Sequence, residues 1–203
     1  MQLESSASIV TWGDAVRFTG SVSAPDAPEC AHGVEVLLEK DAIDDEATWL
    51  EVGRARTDAE GRFSVDVMVE ESASYAAYNV PEQGSACEAA GSESVEVMAR
   101  FQVTLERSAL IVPRGGRVRL TVRSRPHCPG YATGDSVSIP LYQLRDGRFV
   151  RVAVKRDLDA CKATFVRRIR RTAVFMSKVG GTEGTNAVYL SGRSAEKAVD
   201  VRD

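Results

Sequence analysis

Apolar and polar residues alternate at every second position in many short segments of this chain. Between residues 62 and 69, for example, Phe63, Val65 and Val67 alternate with charged or hydroxyl-bearing residues. A period of two is typical of a β-strand with one buried face. Turn-forming residues such as Asp58 and Gly61 separate these segments. The pattern therefore predicts an all-β protein.

Seven such segments fall in each half of the chain. In the first half, the predicted strands lie near residues 8–11, 16–22, 34–40, 49–56, 62–69, 74–78 and 94–99. In the second half, they lie near residues 110–112, 118–122, 136–144, 149–155, 163–169, 173–177 and 197–201. Seven short strands in about 100 residues predict a Greek-key β-sandwich. Arg167 falls at an inward position of its strand, where we expect a bulge or the end of the strand.

The two halves align with each other when the sequence is shifted by 100 residues. Residues 49–56 then match residues 149–156, and Cys30 meets Cys128 after a slip of two residues. A period of this length indicates tandem domains, because solenoid repeats are about 20 to 50 residues long. We therefore predict two domains, residues 1–100 and 101–203.

Three features resemble tandem bacterial immunoglobulin-like (Ig-like) domains of secreted and cell-surface proteins. They are the segment 12–20 (WGDAVRFTG), the segment 55–64 (ARTDAEGRFS) and the aromatic residue Tyr75. The resemblance implies an all-β fold of two tandem seven-stranded Ig-like Greek-key β-sandwiches. It implies a fold more than a function. The second copy departs from the pattern at residues 159–162 (DACK) and at Phe175, which lacks the hydroxyl of Tyr75.

The two halves carry opposite charge. Residues 1–100 hold 20 Asp and Glu against 6 Lys and Arg, a net charge of −14, whereas residues 101–203 hold 9 against 20, a net charge of +11. Opposite charges of this size favour a charged partner, or docking of the unlike halves within one copy or between copies.

The four cysteines divide equally between the halves: Cys30 and Cys87 in the first, Cys128 and Cys161 in the second. Four cysteines allow three pairings, and one pair in each half is the pairing that we favour. In the implied sandwich, the loops that carry each pair lie at the same end. Disulfides indicate an oxidising compartment, which predicts a secreted or cell-surface location, although this chain shows no signal peptide.

Basic residues are concentrated in the second half. We predict a basic patch formed by Arg123, Arg125, Arg151, Lys155, Arg156, Arg168 and Arg170. Such a patch favours a protein or an anionic glycan or wall polymer as the partner. The alternative is a solvated strand edge whose charges prevent aggregation. Nucleic acid is not expected, because no nucleic-acid-binding motif is present. Membrane insertion is not expected either, because no apolar run is long enough.

Other chemistry has weaker support. The acidic cluster Asp41, Asp44, Asp45 and Glu46 is a candidate calcium site, but it lacks the spacing and the glycine of an EF-hand loop. His32 and His127 each lie near a cysteine, but the ligand spacing of a zinc site is missing, so we predict no metal and no cofactor. Motifs of nucleophilic catalysis are absent from the sequence, and we predict no enzyme activity.

These observations favour a non-catalytic secreted or cell-surface module for binding, adhesion or assembly. The alternative is a structural spacer or accessory region of a larger surface protein or secreted enzyme. The sequence does not identify the ligand.

Overall fold

The structure is a computed structural model that describes residues 1–43, 48–81, 84, 86–126, 138–156, 161–183 and 188–202. These residues form β-strands, turns and one 3₁₀ turn at Pro28–Cys30, and no α-helix occurs among them. The fold is therefore all-β. The chain divides into two compact units: unit 1 is Met1–Ala99 with Thr185–Val188, and unit 2 is Arg100–Gly184 with Tyr189–Asp203.

Unit 1 contains eight strands. They are β1 (Gln2–Ser5), β2 (Ile9–Thr11), β3 (Ala15–Ser21), β4 (Glu35–Ala42), β5 (Leu50–Arg56), β6 (Arg62–Met68), β7 (Ala73–Val80) and β8 (Val95–Arg100). Strands β1, β3 and β6 form one sheet. In a second sheet, β4 pairs with β5 and β7, β7 pairs with β8, and β2 also pairs with β8. Strand β1 was not predicted from the sequence.

The core of unit 1 consists of the apolar residues of the alternating segments. In β6, Phe63, Val65 and Val67 are buried while the residues between them are exposed. Phe18 of β3 and Tyr75 of β7 come from different sheets, and their ring centroids lie 4.6 Å apart. The two sheets therefore pack face to face across this aromatic contact.

The second half of the chain contains the remaining strands. They are β9 (Gln102–Arg107), β10 (Ile111–Pro113), β11 (Gly116–Arg125), β12 (Ser138–Arg145), β13 (Arg148–Arg156), β14 (Lys162–Ile169), β15 (Ala173–Met176), β16 (Lys178–Val179), β17 (Thr182–Glu183), β18 (Val188–Leu190), β19 (Gly192–Arg193) and β20 (Lys197–Arg202). One sheet of unit 2 has the order β9-β11-β14, and the other has the order β10-β20-β15-β12-β13. Strand β16 pairs with β19. Neither β9 nor the short strands β16 to β19 were predicted.

The two units share a strand order and one irregularity. Each has a three-stranded sheet and a larger sheet in which equivalent strands follow one another. Between β4 and β5 the register shifts so that Val52 has no partner, and between β12 and β13 it shifts so that Val152 has none. These β-bulges lie at matching positions, 100 residues apart, in the two units.

The expectation of a bulge at Arg167 is wrong. Strand β14 pairs with β11 in unbroken register from Lys162 to Ile169, with Arg167 opposite Val118, and it ends two residues beyond Arg167. Arg167 is half-buried. The inward position is tolerated because an arginine can bury its aliphatic stem and keep its guanidinium near solvent.

Candidate functional site

The exposed side of β11 carries a row of arginines. Its inward residues Val118, Leu120 and Val122 are fully buried, so the residues between them must face outward. Those exposed positions are occupied by Arg117, Arg119, Arg123 and Arg125, with the less exposed Thr121 in the middle of the row. The alternation that builds the core therefore also aligns four guanidinium groups on one side of the sheet.

The neighbouring strands add further charge to this side. On β14, Lys162 lies opposite Arg123, and Arg168 lies opposite Arg117. On β9, Thr104 lies opposite Arg123, and Glu106 lies opposite Thr121. We name the outward side of β9, β11 and β14 the basic face; it carries six cations, which are Arg117, Arg119, Arg123, Arg125, Lys162 and Arg168, and one carboxylate, Glu106.

A shallow groove of about 320 Å³ lies on the basic face. It is lined by Gln102, Thr104, Glu106, Arg123 and Arg125. The groove therefore places amide and hydroxyl groups beside two arginines, and such groups hydrogen-bond to oxygen-rich ligands.

The equivalent side of unit 1 is neutralised internally. There, Arg17 of β3 lies opposite Asp66 of β6, and two hydrogen bonds of 2.8 and 2.9 Å join the guanidinium to the carboxylate. The hydrogen bond from Arg17 holds the pKa of Asp66 below its ordinary value, and the same bond raises the pKa of Arg17. The charge of this cation is therefore balanced within unit 1.

The equivalent pair in unit 2 lacks its acid. Arg119 lies opposite Val166, which is 60% exposed. No carboxylate among the described residues lies within 4 Å of the charged nitrogens of the six cations of the basic face. Like charges directly opposite each other destabilise a sheet. The basic face therefore carries a repulsion that an anionic partner would relieve.

The structure brings part of the predicted basic patch together. Arg123, Arg125 and Arg168 share the basic face. Arg151, Lys155 and Arg156 lie on β13, which belongs to the other sheet, and Arg170 follows the end of β14. The prediction missed Arg117, Arg119 and Lys162. The alternation of arginines from residue 117 to residue 125 was visible in the sequence, whereas the position of Lys162 follows only from the register of β14.

A disulfide closes one end of unit 1, as the sequence predicts. Cys30 follows β3 and Cys87 follows β7, and their Cα atoms lie 5.4 Å apart. Cys161 is disulfide-bonded as well. It has a φ of +52°, in the place where Gly61 of unit 1 has a φ of +76°. Cys128 and His127 lie outside the described residues.

A cavity of about 450 Å³ lies beside Cys87 in unit 1. Its lining includes His32, the carboxylates of Glu29 and Glu35, and Arg56. Glu35 also accepts a hydrogen bond of 2.9 Å from Arg54. The cavity therefore combines groups of both charges.

The candidate calcium site falls mostly outside the described residues. Asp41 lies on β4, and its buried Oδ1 atom has no hydrogen-bond partner among them, while Asp44, Asp45 and Glu46 are not described. Within the described ranges, no group of three or more His, Cys, Asp or Glu side chains could hold a metal ion. None of these residues forms a helix with the length and hydropathy needed to cross a bilayer.

Comparison with known proteins gives little further information. No protein-family model and no curated protein matches the chain. Among solved structures, a superoxide reductase (neelaredoxin) from Ignicoccus hospitalis is similar over 49% of this chain and 80% of that chain, with 18% identity and a TM-score of 0.33. A likeness this weak carries no information about activity.

Proposed function

We propose that this chain is a non-catalytic binding module of two Ig-like domains, and that unit 2 binds an anionic glycan or wall polymer through the basic face. The observation that carries the proposal is the arrangement of six cations, with a single carboxylate among them, on one side of one sheet. The opposite side of that sheet forms the core, so the arginines of β11 are held on a rigid element.

The shape of the basic face favours a linear partner. Arg117 and Arg125 lie eight residues apart on one strand, a distance of about 26 Å. A compact ion reaches only one part of such a row. A polymer that carries a negative charge on each repeating unit contacts all of it, and it releases counterions as it binds.

The strand order supports the Ig-like assignment. In unit 1, β3 pairs with β1 and β6, and a second sheet contains β2, β4, β5, β7 and β8. In unit 2, β11 pairs with β9 and β14, and a second sheet contains the equivalent strands β10, β12, β13, β15 and β20. The matching bulges at Val52 and Val152 support a duplication of one domain. The Cys30–Cys87 disulfide supports a secreted or cell-surface location, because such bonds persist in oxidising compartments.

Binding to immobilised heparin, a sulfated polysaccharide, tests the proposal. We expect saturable binding whose affinity falls steeply as the salt concentration rises. The double variant Arg119→Glu with Arg123→Glu should lose at least about tenfold in affinity, because charge-assisted hydrogen bonds are each worth about 1.5 to 3 kcal/mol. The matched control is Arg151→Glu with Lys155→Glu, which makes the same charge change on the other sheet of unit 2.

Two results would overturn this proposal. One is an equal loss of affinity in both double variants, which would mean that only the total charge matters. The other is binding to a DNA duplex that is as tight as binding to heparin at the same salt concentration. The second result would replace the glycan with nucleic acid as the partner.

A second candidate function is electrostatic assembly of copies, and the opposite charges of the two halves favour it. Sedimentation from low salt to 1 M salt, where charges are screened beyond about 3 Å, tests this function. Self-association at low salt that disappears at high salt supports assembly. A protein that is monomeric at every salt concentration and binds no polyanion would be a spacer.

A further inference from the structure

A second concentration of arginines lines a cleft in unit 2, at the end of β14. The cleft has a volume of about 200 Å³. Five arginines line it: Arg145, Arg167, Arg168, Arg170 and Arg171. Among the residues that the structure describes, no carboxylate lines the cleft. The cleft is therefore bordered by five arginines, of which Arg168 also belongs to the basic face.

The most informative of these residues is Arg167. It occupies an inward position of β14 and lies opposite Val118 in regular register. The equivalent residue of unit 1, Val67, is 7% exposed and lies opposite Val16. Unit 2 thus has a half-buried cation where unit 1 has part of its core. The aliphatic stem of Arg167 takes the place of the valine, and the arginine also lines the cleft.

The same place in unit 1 is occupied by an ion pair. The registers of β7 with β4, and of β15 with β12, align Lys40 with Gln143. The 100-residue repeat aligns Glu71 with Arg171. Lys40 Nζ and Glu71 Oε1 are 2.5 Å apart, and their side chains are 19% and 24% exposed.

Unit 2 has lost both members of this pair. Gln143 replaces the lysine, and Arg171 replaces the acid, so the anion that unit 1 supplies internally becomes a fifth cation of the cleft. The Gln143 side-chain oxygen lies 3.5 Å from Arg145 Nη2, and Arg168 Nε donates a hydrogen bond of 2.9 Å to the carbonyl oxygen of Gly115. These contacts use part of the donor capacity of two arginines, and no carboxylate among the described residues forms an ion pair with an arginine of the cleft.

We propose that the cleft binds one tetrahedral oxyanion group, a phosphate or a sulfate, in the place that the Glu71 carboxylate occupies in unit 1. Planar guanidinium groups bind such anions through pairs of parallel N–H donors. Phe175, which is almost fully buried, also lines the cleft and gives it one apolar wall. This inference goes beyond the proposed function, since it concerns a second site, at the end of β14, that binds a single ion.

Calorimetric titration of the full chain with inorganic phosphate and, separately, with inorganic sulfate tests the proposal at constant ionic strength. We expect saturable binding of one ion per chain for at least one of them. Phosphate alone would identify a phosphate-bearing ligand, sulfate alone a sulfated one, and equal affinities any tetrahedral oxyanion, so that each result supports the cleft. Sodium acetate is the control anion. Saturable heat from acetate at a similar concentration, or none from phosphate and sulfate, would overturn the proposal.

Two variants that introduce the residues of unit 1 locate the site. Arg167→Val should weaken binding of the ion at least about tenfold, the value of one charge-assisted contact. The double variant Gln143→Lys with Arg171→Glu rebuilds the ion pair of unit 1, and it should abolish binding while the melting temperature without added anion stays the same or rises. The control Arg151→Ala lies outside the cleft. Unchanged binding in both test variants would contradict the site, and the melting temperatures show whether each variant is folded.

The two proposals fail separately. Wild-type protein that binds heparin but neither inorganic ion overturns the cleft and leaves the basic face intact. Wild-type protein that binds one of the ions but not heparin overturns the basic face alone.

Discussion

Asp66 of unit 1 and Val166 of unit 2 occupy the same register position, each directly opposite an arginine of the neighbouring strand. The carboxylate completes an ion pair with Arg17, whereas the valine places no acid opposite Arg119. This single difference separates a neutralised sheet surface from one that keeps its charge. It also indicates which substitutions test the role of the basic face.

Val166→Asp should weaken the binding of heparin by several-fold. The new carboxylate pairs with Arg119, as Asp66 pairs with Arg17, and competes with an anionic ligand for the same donors. Surface plasmon resonance at fixed salt measures the change. Val154→Asp, at an exposed valine of β13 in the other sheet, is the matched control and should alter the affinity less. Equal losses in the two variants would contradict a specific role of the basic face.

Glu106→Gln should strengthen the binding of heparin by a few-fold. Glu106 is the one carboxylate of the basic face and lines its groove beside Arg123. Removing its charge removes repulsion of an anionic ligand, while the amide keeps the shape of the side chain. The gain should shrink as salt is added, because exposed charges are screened. An affinity that stays the same at low salt would place the ligand away from the groove.

Tyr75→Phe should make unit 1 more resistant to alkaline unfolding. Burial raises the pKa of Tyr75 to about 12, and the nearby charge of Glu71 adds to the effect. The raised value means that the folded state holds the phenolic proton more tightly than the unfolded state, whose ordinary pKa is about 10. The contribution of Tyr75 to stability is therefore complete below pH 10 and is lost as the pH rises from 10 to 12.

A shift of this size corresponds to roughly 3 kcal/mol at high pH. Urea unfolding followed at pH 9 and at pH 11.5 measures the difference between wild type and variant. Unit 2 already has Phe175 at the equivalent position, so its unfolding transition is the internal reference. A wild-type transition in unit 1 with the same pH dependence as that of the variant would show that Tyr75 is not responsible.

Replacing Cys30 and Cys87 together by serine should destabilise unit 1 by roughly 4 kcal/mol, because the disulfide closes a long loop in the unfolded chain. The bond spans 57 residues. Unfolding in urea without reductant measures the change, and peptide mapping under non-reducing conditions verifies the pairing in the wild type. A variant as stable as the wild type would mean that strain in the folded state offsets the entropic gain.

The strands of the core could be predicted because burial forces strict alternation. Residues 62–69 and 118–122 show this pattern clearly, and strands β6 and β11 contain them except for Val69. Strands β1 and β9 were missed. Strand β1 has four residues, none of them fully buried, so little in its composition distinguishes it from a loop. Strand β9 does alternate, with Val103 and Leu105 buried, so its pattern was visible in the sequence.

The basic face was harder to predict than the core. Alternation indicates whether a side chain points inward or outward, but it does not indicate to which sheet a strand belongs. Arg123 and Arg151 are both exposed in the sequence pattern and in the structure, yet their strands lie in different sheets. Alternation also gave no reliable prediction at Arg167. An inward position normally holds an apolar residue, but a long side chain can occupy it when its charged end reaches solvent.

In each unit, the β-bulge determines which residues in the rest of its strand face the core and which face solvent. In each unit, the bulge brings two half-buried residues together, Val52 with Gly53 and Val152 with Ala153, between exposed neighbours. Removing either extra residue would turn the rest of its strand inside out, since side chains alternate from one face to the other. Because both copies carry the extra residue at the same position, we expect that exchanging the β4–β5 and β12–β13 hairpins keeps buried and exposed residues in step. Chimeric proteins can therefore move charge between the units without inverting a strand.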